Sequence, residues 1–320
     1  MDTWLKLAAP AFPDGTPAMQ STREWPDAIA ADTAAAMSTA RPHRAAALLQ
    51  VLATTGYGIW LWLGLSLLLG LSPPGRSGTL IPLGLGAVLA GSGLLLACLR
   101  IPGLASWHGW LPRPGHRPTR SALMALATWL PVLAVAGLAH GDNGFWVTRL
   151  AGTALLLCSL VSLLLATHDD RARLPPMLQR ATALLPACRI TIAAYIGGLW
   201  LWLSVLAQDE FIGGRGAYLW VLLLLALALG QGLLESGLWQ SLREPETAAG
   251  EDATNRGRLP ARLVASLLSY ALPCAALLLG GASGNLLAAA LAAPGCLLGQ
   301  LLERWLYEGA LADAMGAKAV

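Results

Sequence analysis

Charge is scarce in this chain of 320 residues. Asp, Glu, Lys and Arg together make up 12%, against roughly 25% in a soluble domain. That shortage excludes an ordinary water-soluble domain, and a net charge of +3 supplies no basic surface of the kind nucleic acid requires. Histidine is nearly as rare. His43, His108, His116, His140 and His168 fall in the N-terminal tail, in loops or at the ends of apolar runs. A b-type haem held between facing imidazoles needs them inside such runs, so no buried haem is expected. The same scatter argues against a histidine metal site, which needs converging ligands. Cys98, Cys158, Cys188, Cys274 and Cys296 show no C-x-x-C spacing. They are expected to pack as small apolar side chains rather than to ligate a cluster. No Walker loop, G-x-S-x-G or H-E-x-x-H occurs, so no self-contained nucleotide or hydrolytic chemistry is indicated.

Apolar residues, by contrast, fill 56% of the chain, in long blocks. A helix needs about 20 of them to cross a hydrocarbon core roughly 30 Å thick. Eight stretches meet or approach that length, at 46–72, 79–99, 119–139, 145–167, 185–207, 216–238, 262–280 and 283–306. The expected fold is all-α: a polytopic integral membrane protein with eight transmembrane helices spanning residues 45–320. A polar tail, residues 1–44, precedes it. That tail has no basic start followed by an apolar core, so it does not read as a cleavable signal; it reads instead as an irregular arm that orders on a partner, or as an over-extended gene start. Gly84, Gly86, Gly91 and Gly93 mark the second stretch as one that packs closely against a neighbour.

Eight crossings put both ends of the chain on one side. Every Lys and Arg except Arg76, Arg149, Arg215 and the intraspan Arg189 then falls on that side. Because basic loops stay inside, both termini are expected in the cytoplasm, with the protein in the inner (cytoplasmic) membrane. Tyr57, Trp146, Tyr218, Trp239, Trp305 and Tyr307 lie near span ends, where aromatic anchors collect. Arg189, a turn inside the fifth span, is expected to snorkel to the interface.

Most polar residues within the spans gather at the same face. Arg100 closes the second span, Arg120 opens the third, Glu235 lies near the end of the sixth, and Glu303 and Arg304 lie near the end of the eighth. In the eighth span Gln300, Glu303 or Arg304, and Tyr307 recur at helical spacing, while Leu297, Leu298, Leu301 and Leu302 fill the rest. A polar stripe at the mouth of a bundle could hold a lipid head group, a partner subunit or a quinone ring. No chain of acids crosses the membrane and no internal repeat stands out, which counts against a transporter. A membrane-embedded transferase would want more acids or histidines at one face than Glu235 and Glu303 supply.

The order of several motifs resembles the membrane-anchor subunits of the dimethyl sulfoxide reductase family, which include the anchor of membrane-bound sulfite dehydrogenase. Those anchors have eight spans. Their first carries a motif like T-x-x-G-x-G, in whose place stands TTGYGIWLWLGL at 54–65. Their third opens on a Ser-Arg-Glu-like start, here TRSALMALATWL at 119–130. Their fifth begins with Pro and contains a Gly-Gly pair, as does LPACRITIAAYIGGLW at 185–200. Their eighth ends in an acid or amide, three residues, then Arg with aromatics, matched by Gln300, Arg304, Trp305 and Tyr307.

The resemblance implies an anchor that is not catalytic alone. It would dock a molybdopterin catalytic subunit and an iron–sulfur subunit carrying [4Fe-4S] clusters at the membrane, bind no haem, and link them to the quinone pool in anaerobic respiration or sulfur metabolism. It points to Arg100, His108, Arg120, Gln300, Arg304 and Tyr307 as quinone-binding residues. The loop LRIPGLASWHGWLPRPGHRPTR would be the docking surface, with Trp107 and Trp110 as apolar anchors and Arg113 and Arg117 as charged contacts. The chain departs from the family where His-Leu-Gly ends the second span: it has Arg100-Ile101-Pro102. The glutamate of the third-span motif is Ser121. A guanidinium is a poor general base, and His108 is the imidazole nearest to taking over that role. A structural anchor without a quinone site and a multi-pass transporter are the alternatives.

Overall fold

A computed structural model describes residues 44–71, 76–98, 120–139, 145–172, 182–208, 215–247, 252–280 and 285–316. These residues are helical nearly throughout. In chain order the helices are α1 (Arg44–Leu69), α2 (Arg76–Cys98), α3 (Arg120–Ala127), α4 (Trp129–Leu138), α5 (Trp146–Ala172), α6 (Leu185–Leu206), α7 (Arg215–Thr247), α8 (Asp252–Ser266), α9 (Leu272–Gly280) and α10 (Leu286–Gly316), with a π-helical turn at Leu267–Ala271 between α8 and α9. Six segments are long and apolar enough to cross a membrane: Ala47–Leu69, Trp146–His168, Leu185–Leu206, Tyr218–Gln240, Leu259–Gly280 and Leu286–Ala310. Leu123–Leu138 is a shorter apolar helix. The outward faces carry Val88, Leu130, Leu219, Leu263, Leu279 and Leu287, each more than half exposed. Water would not tolerate so continuous an apolar exterior, whereas lipid does. The chain is of the multi-pass helical membrane class.

Proline accounts for both interruptions. Pro131 lacks the N–H that would bond to the carbonyl four residues back, and its ring crowds that carbonyl; α3 gives way to α4 at Thr128, just beside it. Pro273 does the same to the turn before it. There the chain widens into the π-helical turn, with the Leu272 N–H donating to the Leu267 carbonyl.

Helix α1 is the hub. Its apolar window is 72% buried, against 28 to 56% for the other five membrane-length segments. It packs on α2, α5, α6 and α10, and glycines open three of these contacts. A Cβ on Gly56 would meet the backbone of Gly86 and Ala90 in α2. One on Gly58 would meet Ala193 and Gly197 in α6, and one on Gly64 would meet Gly152 and Leu156 in α5. Small residues allow backbones to approach in lipid, where no hydrophobic drive brings helices together. The TTGYG stretch is therefore a packing seam. Trp62 seals it by donating its indole N–H to the Ala194 carbonyl at 2.6 Å.

Two large clusters make up most of the apolar core, with a smaller third around Leu185, Trp239 and Tyr307. One of the large clusters joins α1, α2, α4 and α5 around Trp60, Leu67 and Leu155. The other, around Tyr195, Leu224, Leu277 and Cys296, joins α6, α7, α9 and α10. This division exposes a repeat that the sequence analysis did not find. GIWLWL at 58–63 returns as GLWLWL at 198–203, and GSGLL at 91–95 as GQGLL at 230–234. The Arg120…Leu130-Pro131 segment returns as Arg262…Leu272-Pro273, each motif roughly 140 residues after its counterpart. The contacts correspond as well: α1 packs on α2 and α5 as α6 packs on α7 and α10, and α5 meets α6 as α10 meets α1. The transmembrane registers had hidden this repeat, because Leu and Ala dominate both halves and only a few motif residues stand out.

Candidate functional site

The two halves meet at the end where α1 and α6 begin and α5, α7 and α10 finish, and the buried charge collects there. Helix α5 runs past its apolar segment and carries Asp170 with it. Asp170 Oδ2 accepts a hydrogen bond from Gln50 Nε2 of α1 at 2.9 Å and pairs with Arg189 of α6 at 3.0 Å. Arg304 of α10 stands 3.9 Å from the same oxygen and binds Glu308, one turn on, at 3.0 Å. Arg189 was expected to snorkel to the interface, and it does not: its side chain is 7% exposed, because a carboxylate from the other half reaches it in the interior.

A second group lies deeper. Glu235 of α7 is buried. Its carboxylate accepts from Gln231 Nε2, one turn earlier, at 2.9 Å, and from the Tyr270 hydroxyl. Tyr270 sits in the π-helical turn, three residues before Pro273, and the widened turn aims its ring at α7. Such bulges are frequent at functional sites. Glu303 and Gln300 of α10 adjoin Glu235. The corresponding place in the first half is neutral: Thr128, three residues before Pro131, shares a 2.9 Å hydrogen bond with Ser162.

Between the two groups lies an open cavity of about 70 Å³. Its walls include Thr54, Arg189, Glu235, Gln300, Glu303 and Tyr307. Trp239 and Tyr307 close one side edge to face, with centroids 5.9 Å apart. Three buried polar atoms here have no hydrogen-bond partner: Gln300 Nε2, Tyr307 Oη and Glu303 Oε2. Two donors and one acceptor are thus left for something that enters the cavity. A smaller cavity, about 10 Å³, lies on the other side of Arg189 and is lined by Tyr57, Ser121 and Ser162.

Of the residues singled out from sequence, Gln300, Arg304 and Tyr307 line the main cavity together. Arg120 does not: it is exposed at the start of α3, and its neighbour Ser121 lines the smaller cavity instead. Arg100, His108, Trp107, Trp110, Arg113 and Arg117 lie outside the described residues. Tyr57, Trp239 and Tyr307, expected as interfacial anchors, are buried in the bundle. Trp146 and Tyr218 are exposed at helix starts. Gln50, Asp170, Gln231 and Tyr270 were missed. Asp170 lies beyond the apolar run, and only the continuation of α5 brings it in. Tyr270 was legible in principle from the proline three residues later.

The described residues thus define a helical membrane bundle with a half-open, largely apolar cavity at one end into which a few buried polar side chains project. No protein-family profile, no curated protein and no solved structure matches the chain.

Proposed function

We propose that this protein is the membrane-anchor subunit of a quinone-linked oxidoreductase of the dimethyl sulfoxide reductase type. In this reading the chain crosses the inner membrane eight times with both termini in the cytoplasm. Helix α2 and the α3–α4 pair supply the two crossings beyond the six of full length. The cavity faces the cytoplasmic leaflet, beside a docked iron–sulfur subunit whose own partner carries molybdopterin.

One observation carries the quinone assignment: Gln300 Nε2, Tyr307 Oη and Glu303 Oε2 are buried and unpartnered around one cavity. Leaving such groups unmatched costs about 1–3 kcal/mol each, and a ring oxygen with its hydroxyl or carbonyl answers both kinds. The cavity is well below the roughly 300–1,000 Å³ that encloses a drug-sized ligand. It admits the oxygen-bearing edge of a ring, with the remainder outside. Gln300 and Tyr307 would hold that edge, and Arg189 and Arg304 would bias it electrostatically. A bound quinone would supply two-electron chemistry between the lipid phase and the partner's clusters.

The test is purification from the native membrane in mild detergent. Co-purifying iron and molybdenum, with a quinol analogue that binds wild type but binds Gln300→Leu and Tyr307→Phe at least tenfold more weakly, supports the reading. A lone, stable, metal-free protein that ignores the analogue overturns it. The repeated halves favour one other reading, a multi-pass transporter with its site between parallel repeats. Substrate uptake into vesicles holding the protein alone would establish that one.

A further inference from the structure

We infer that Glu235 and Glu303 hold one proton between them and form a proton-exchange site at the base of the cavity. The two carboxylates come from neighbouring helices and stand side by side. Both line the cavity, and Glu235 lies inside the membrane-length segment Tyr218–Gln240.

Among the described residues, Arg189 is held by Asp170, and Arg304 by Glu308 with Asp170 nearby. Arg171 follows Asp170 at the end of α5. Arg262 lies 4.1 Å above the Trp239 ring and is the cation beside Glu303. Ionising both Glu235 and Glu303 in an apolar surrounding is strongly disfavoured, and one shared proton relieves it.

The hydrogen bonds show where that proton belongs. Asp170 and Glu308 have guanidinium partners. Glu235 is met by neutral donors, Tyr270 and Gln231, and adjoins Gln300 and another carboxylate, Glu303. Two adjacent carboxylates away from water do not both ionise. The other titratable groups facing the pair are Cys188 of α6 and Cys296 of α10. Neither supplies positive charge.

The site deepens the quinone reading and, for its role, rests on it. A ligand hydroxyl at the cavity edge can pass its proton to a Glu303 oxygen while the bonding electrons stay on the ligand oxygen; the reverse transfer returns it. The acid–base group that the family's histidine would supply is thereby provided from α7 and α10.

Infrared difference spectroscopy of the purified protein tests the inference. A deuterium-sensitive carboxylic C=O band is expected at neutral pH. It should vanish in both Glu235→Gln and Glu303→Gln, since either change leaves a lone carboxylate with no acidic neighbour to share a proton. No band in wild type, or a band surviving in one variant, overturns the shared proton. Should the variants not fold, wild type alone decides. A hydrophobic carbodiimide, which reacts with protonated carboxyls in apolar sites, should label Glu235 or Glu303 by peptide mapping; labelling of neither overturns the inference. Labelling that a quinone analogue does not block keeps the proton site and removes the quinone.

Discussion

Replacing Gly58 with alanine is expected to loosen the contact on which the cavity depends. The added methyl would stand 2.7 Å from the Ala193 carbonyl carbon and 3.1 Å from the Gly197 Cα, and closer still to the Ala193 oxygen. Carbon atoms normally rest about 3.5–4.0 Å apart, so α1 and α6 must separate by about 1 Å. Overpacking of this kind costs about 1–3 kcal/mol. Alanine's better helix propensity returns at most about 1 kcal/mol, leaving a net loss of about 1–2 kcal/mol. Gly230→Ala is the matched control, because nothing lies within 4 Å of a Cβ there; it should be neutral or slightly stabilising. Thermal unfolding in detergent, followed by maleimide labelling of the buried Cys188 and Cys296, reads the difference as a shift on the order of a few degrees. Gln50 and Arg189 ride on the two separated helices, so binding of a quinol analogue should fall in parallel. A Gly58→Ala protein that melts with or above Gly230→Ala would refute the close crossing.

Asp170→Asn strands the buried Arg189 and should destabilise by about 3–5 kcal/mol. Glu308→Gln removes only a partly exposed pair within one helix and should cost about 0.3–0.5 kcal/mol; denaturation that ranks the two the other way contradicts the assigned partners. Trp62→Phe gives up the donation to Ala194 while keeping a ring against Trp220, which lies 4.7 Å away between centroids. A loss of about 0.5–1.5 kcal/mol in melting experiments is expected. Pro273→Ala restores the missing N–H, so the π-helical turn should relax and swing Tyr270 by about 100° from Glu235. The carboxyl band should then change as it does in Tyr270→Phe, and an unaltered band would disconnect the turn from the site.

Helix positions were legible because a membrane span is written in length and apolarity alone. The polar stripe Gln300, Arg304 and Tyr307 was legible too, from helical spacing within α10. What escaped was partnership between distant helices. Nothing local to Arg189 says that an acid from the far end of α5 will meet it, so snorkelling was the reasonable expectation. Tyr307 and Trp239 sit at span ends in the sequence, yet they turn inward, because α7 and α10 converge on Leu185 and bury both rings. The repeat was hidden for a related reason: lipid asks for the same residues everywhere, and only glycine seams and prolines distinguish one span from another.

The pairing of Asp170 with Arg189 also bears on assembly. The acid is synthesised first, at the close of the half formed by α1 to α5, and the arginine opens the next. When α6 enters the membrane, its guanidinium has a counterion already waiting. The second half is thus drawn against the first at the start of its insertion, and the order of synthesis itself helps to register the two.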